Sequence, residues 1–113
     1  VLDLVAERRA GDVFAAVARL AEAGIDFPLF LTGLGDMLRA LLAISLGGAV
    51  PELSERARLA LEARRGRLAP ADLLRMLHLL VEAEPRFRRS GQQQLLLETL
   101  LVRFALLDRA VEL

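Results

Sequence analysis

Very few side chains here could do chemistry. His78 is the only histidine. A histidine can act as general base or metal ligand near neutral pH, but either role needs a partner. The chain has no second histidine and no cysteine. Glu82 lies one helical turn beyond His78, so an exposed, structural His78–Glu82 pair is expected. Glu82-Ala83-Glu84 supplies two carboxylates. Two residues apart on a helix, they project from different sides, whereas a hydrolytic pair converges across a cleft. Gly33-Leu34-Gly35 is a Gly-x-Gly fragment. A phosphate-binding loop would place it between strand and helix with further glycines. Here it lies inside a helical pattern, where close packing or a local bend is the expected role. No Gly-Lys-Thr or Gly-Lys-Ser sequence occurs. The chain is therefore expected to hold no catalytic, cofactor-binding or metal-binding residue and to be no enzyme by itself.

Composition narrows the remaining classes. Without cysteine there is no disulfide, thiolate nucleophile or zinc–thiolate site. Fifteen basic residues balance fifteen acidic ones, whereas nucleic-acid binding usually shows a basic excess or patch. The densest basic clusters are Arg86, Arg88, Arg89 and Arg64, Arg65, Arg67. Both flank predicted helix ends, where cations oppose the helix dipole favourably. No direct nucleic-acid contact is expected. Hydrophobic residues make up 55% of the chain and mean hydropathy is +0.43. That is apolar for a small soluble domain and implies surface covered by a partner. The longest uncharged stretch, Ala40 to Pro51, contains Gly47-Gly48. It falls short of the roughly 20 apolar residues of a spanning helix, so no membrane segment is expected. No signal peptide is seen, and the expected location is cytoplasmic.

The elements that must position these residues are all helical, since no segment alternates in twos. A first helix is expected from about Leu2 to Ala10, ending at Gly11. A second is capped by Asp12, buries Val13, Phe14, Val17, Leu20 and Ala21, and stops at Gly24. Asp26 caps a third, with Pro28 in its first turn, running to about Leu46 before Gly47-Gly48. The fourth, richly charged, starts near Pro51 or Glu52 and ends at Gly66, with Leu53, Ala57, Ala60 and Leu61 inward. Pro70 opens the fifth, whose Arg75, His78, Glu82 and Arg86 form one polar stripe. Pro85 should kink or shorten that helix. The 113 residues make one domain, 1–113, read as a piece of a longer polypeptide because Val1 replaces an initiator methionine.

The last helix, Gln92 to Arg109, has leucines at 95, 96, 97, 100, 101, 106 and 107. They cover most of its circumference, well beyond the ~100° stripe of a helix packed once onto a core. Such a helix is buried centrally or offers a second face to another subunit. The candidate subunit interface is Leu96, Leu97, Leu100, Leu101, Phe104 and Leu107. Leu96, Leu100 and Phe104 fall on one side, with Leu97, Leu101 and Leu107 on another.

Three segments resemble the C-terminal collar domain of the bacterial DNA polymerase III gamma/tau subunit, the clamp-loader motor. They are Ala10-Gly11-Asp12 with Ala23-Gly24-Ile25-Asp26; Leu34, Leu38-Arg39 and Leu41-Leu42; and Glu82-Ala83-Glu84, Arg88-Arg89-Ser90, Leu95, Leu97-Glu98, Leu100-Leu101 and Arg103-Phe104. The resemblance covers almost the whole chain. Gly33, Gly35, Pro85 and Gln94 depart from the family's usual residues. The resemblance implies a compact all-α bundle of five to six helices of clamp-loader collar type. It implies a non-catalytic oligomerisation domain holding loader subunits in a ring during DNA replication. Its implied partners are other gamma/tau copies and the delta and delta-prime subunits. ATP and Mg would then belong only to the ATPase module of the parent chain. The competing reading is a free-standing helical adaptor or regulatory module that binds a partner helix in a groove.

Overall fold

The computed structural model describes residues 2–48, 54–64 and 66–107. Among them the chain forms six helices and no strand: α1 (Leu2–Ala6), α2 (Ala10–Glu22), α3 (Phe27–Ser45), α4 (Glu55–Arg64), α5 (Pro70–Arg89) and α6 (Gln93–Ala105). The all-α bundle is therefore as expected. The predicted fourth-helix start at Pro51 or Glu52, the inward place of Leu53, the side chain of Ala57 and the end of the last helix at Arg109 lie outside the described residues.

Local chemistry explains most boundaries. Gly24 takes φ +76°. Its N–H donates to Ala21 O at 3.0 Å and that of Ile25 to Leu20 O at 3.2 Å, closing α2 in a Schellman turn. Gly47, at φ +81°, closes α3 in the same way, with Gly48 N–H donating to Ala43 O at 2.7 Å. Asp26 caps α3: its Oδ1 accepts from Leu29 N–H at 3.1 Å, and Pro28 occupies the first turn.

The first turn of chain departs from expectation. α1 ends at Ala6, and the chain turns at Arg8, three residues before Gly11; Arg8 is left-handed at φ +59°. Arg9 N–H donates to Leu4 O at 2.9 Å, so a Schellman turn forms without glycine. Gly11 then lies inside α2, and Asp12 is a first-turn residue rather than the cap. It accepts from Arg9 Nε at 2.7 Å. That bond first, and the one to Glu7 next, raise the Arg9 pKa above its ordinary value.

Pro85 does not end α5, which continues to Arg89. Proline lacks the donor for the carbonyl of Val81 four residues back. Both residues are solvent-exposed, so water can take the place of that donor.

α3 and α5 pack antiparallel. A Cβ added at Gly35 would meet Leu80 Cδ2 at 3.6 Å, and Leu31 and Thr32 share a cleft with Glu84 and Phe87. α6 packs against α1, α2, α3 and α5, whereas α4 touches only α3. Val5, Val17, Leu38, Met76, Leu97 and Phe104 are fully enclosed at the centre. Phe14, expected inward on α2, is instead 51% exposed. By length and composition α3 could cross a membrane. It buries Leu31, Leu34, Leu38, Ala40, Leu41 and Ile44 in the bundle and carries exposed Asp36 and Arg39 at mid-length, the pattern of a core helix.

Candidate subunit interface

α6 begins where Ser90 and Gly91 break the chain. Ser90 Oγ accepts from Gln92 N–H at 2.8 Å, and Gln93 Nε2 donates to Phe87 O at 3.1 Å. These bonds tie the start of α6 to the end of α5. From there the helix runs through the middle of the bundle.

The six predicted interface residues divide by burial. Leu97, Leu100, Leu101 and Phe104 are at most 3% exposed. They are enclosed by the domain's own helices and present no surface to a second subunit. Leu96 and Leu107 are half-buried and pack on the edge of the core. The excess apolar circumference of α6 is thus mainly spent inside the chain, because helices surround it on several sides. What stays outside is a narrower line. Leu95 is 51% and Leu106 60% exposed, with half-buried Val102 between them. Positions 95, 102 and 106 share one face at helical spacing. Leu106 and Leu95 were in the leucine pattern, but sequence could not show which leucines point outward.

A second set of exposed apolar residues was not singled out by sequence. Leu29 and Leu46 on or just past α3, and Leu74 and Val81 on α5, are 60–70% exposed. Beside Leu29 a cleft of about 310 Å³ opens between the start of α3 and the end of α5, floored by Leu31 and Phe87.

The residues weighed for chemistry stay apart. His78 Nε2 lies 3.2 Å from Glu82 Oε1, with both side chains largely exposed. Glu84 instead pairs with Arg88 Nε at 2.5 Å, so the two carboxylates of Glu82-Ala83-Glu84 do not converge. Gly33 and Gly35 are mid-helix. No group of three or more histidine, aspartate or glutamate side chains that could hold a metal occurs among the described residues. The arginine clusters act partly on helix ends. Arg89 Nε donates to Pro85 O at 3.2 Å and Arg64 Nη1 to Ala60 O at 2.9 Å, each one turn back. On α4, Glu55 is held below the usual carboxylate range by its hydrogen bonds to Arg58 and then by the Arg58 charge.

A bundle with a closed apolar centre, scattered surface ion pairs and leftover apolar stripes belongs to the class of helical packing modules. Residues 1–112 match DNA polymerase III subunits gamma and tau domain III, and the chain belongs to that family. Domain III of gamma and tau is a non-catalytic helical domain, separate from the ATPase module. No curated protein and no solved structure matches the chain.

Proposed function

We propose that this domain is the oligomerisation element of a clamp-loader gamma/tau subunit, holding the loader's subunits in a ring during DNA replication. Its partners on this reading are other gamma/tau copies and the delta and delta-prime subunits. ATP and Mg act elsewhere in the parent chain, DNA is not bound directly, and the setting is the cytoplasm.

The observation that carries the reading is the outer line of α6. Leu95 and Leu106 remain exposed after the core is complete, with Leu96, Val102 and Leu107 half-covered beside them. Exposed apolar side chains in register along one helix are what an association surface needs. Membership of a family whose parent subunits assemble supports the same reading.

The test must spare the core. Glutamates at Leu97 and Leu101, or at Leu96 and Leu100, enter the bundle and should unfold it, since Leu97, Leu100 and Leu101 are at most 3% exposed. Leu95→Glu with Leu106→Glu lies outside. In a full gamma/tau chain this pair should keep its circular dichroism and fail to assemble with delta and delta-prime. Assembly at wild-type affinity would overturn the α6 interface.

A further inference from the structure

We infer that α4 is a strap that lifts off α3 and unwinds as a unit while the other five helices stay folded.

α4 is held to the bundle by little. Every other described helix packs on at least two neighbours, whereas α4 packs on α3 alone. Among its described side chains only Leu61 is buried, at 4% exposure, and Leu59 is 58% exposed. Five of its ten residues are charged. A helix shorter than about 12–15 residues is marginal in water without packing. The Glu55–Arg58 pair on its surface is exposed and adds little. The stability of α4 therefore rests on seating one leucine. The rest of the bundle does not depend on α4 in return, since Val5, Val17, Leu38, Met76, Leu97 and Phe104 are enclosed by the other five helices.

The chain is fastened on both sides of α4 by contacts that α4 does not make. Before it, Gly48 N–H donates to Ala43 O at 2.7 Å and closes α3. After it, Leu68 is 7% exposed and Arg67 Nη2 donates to Glu7 Oε1 at 3.5 Å. Both fastenings can stay shut while α4 opens. Such sub-global opening is the ordinary behaviour of segments with few buried contacts.

Opening bares one side of α3. α5 and α6 pack on each other as well as on α3, so they occupy adjacent sides of it. α4 touches neither, which sets it on the buried side furthest from α5. Gly35 marks the α5 side by its approach to Leu80. Ala40 and Ile44 lie about 140° and 180° around the helix from Gly35 at 100° per residue. They are nevertheless only 7% and 8% exposed. α4 is their cover, and lifting it turns a closed end of α3 into open apolar surface.

Amide hydrogen exchange on the 113-residue chain, read residue by residue by NMR, tests the strap. The amides of Leu59 to Arg64 should be at least about a hundredfold less protected than those of Leu97 to Leu101, and their rates should respond little to low urea, because a local opening exposes little surface. Leu61→Asp should abolish protection in α4 and leave that of α2, α5 and α6 within about threefold of wild type. Equal protection and equal urea response in α4 and α6 would overturn the inference. So would a Leu61→Asp chain that loses protection throughout, since α4 would then belong to the cooperative core.

Discussion

Among the described residues, Asp72 and Arg75 form the ion pair with the most deeply buried carboxylate. Asp72 is 1% exposed and is the one buried charged residue among those described. Its Oδ1 accepts from Nη2 of Arg75, one turn further along α5, whose side chain is 44% exposed. Asp72 is also a first-turn residue, where the helix N-terminus favours negative charge. A pair with one end dry and one end wet is asymmetric. Removing the arginine takes a charged partner from a buried carboxylate, whereas removing the aspartate leaves a cation that water can reach. Arg75→Ala is therefore expected to cost about 2–3 kcal/mol and Asp72→Ala about 1–2 kcal/mol. Urea unfolding of both variants checks the order, and equal or reversed costs would contradict it.

Gly33 and Gly35 should be improvable. Both lie inside α3 at negative φ. A Cβ at Gly33 would meet nothing within 4 Å, and one at Gly35 would meet only Leu80 at an ordinary 3.6 Å. Alanine at either position is expected to stabilise the domain by about 0.5–1 kcal/mol through helix propensity. A loss of stability in Gly35→Ala would mean that the α3–α5 approach is tighter than these distances imply. The thermal midpoint of each variant decides.

Pro85→Ala should also raise stability. The proline sits inside α5 on an exposed side, so alanine can restore the missing bond to Val81 O without crowding the core. A gain of up to about 3 kcal/mol is the intrinsic ceiling. Amide hydrogen exchange should show a protected amide at position 85 in the variant. Unchanged stability would mean that the helix has already adapted around the proline.

Acidification should act on α4 through Glu55. Its folded pKa is lowered by Arg58, so its contribution is present above the unfolded value of about 4.3 and is lost as pH falls through the lower folded value. A carboxyl NMR titration should place the Glu55 inflection below the ordinary glutamate range. Glu55→Gln should leave unfolding near neutral pH almost unchanged, because the pair is exposed. Arg58→Ala should return the inflection to the ordinary range.

Sequence made the stops and starts legible where one residue type has one use. Gly24 and Gly47 supply the left-handed turns, and Asp26 with Pro28 opens α3, all as expected. It failed where two neighbours compete. Gly11 looked like the end of the first helix, but Arg8 takes the left-handed turn, with buried Val5 holding α1 against the core. Phe14 looked like core because it follows Val13. Val13 and Val17 set the buried side of α2, and Phe14 is rotated about 100° from Val13. The interface was harder for the same reason. The leucine-rich circumference of α6 was plain, yet its inward and outward leucines are chemically identical. Only the placement of α1, α2, α3 and α5 around it assigns Leu97 and Leu101 to the centre and Leu95 and Leu106 to the outside.

The position of α6 also bears on how the domain is made. The helix around which α1, α2, α3 and α5 gather is the last of the described helices to be synthesised. Until Leu97 to Phe104 leave the ribosome, the earlier helices have no common seat. Their apolar faces stay open to solvent and to chaperones, because chain elongation is slow beside helix formation. Folding is thus deferred to the end of translation of this segment. A ribosome stalled before Gln93 should carry a nascent chain that is helical in places, protease-sensitive throughout and without a core.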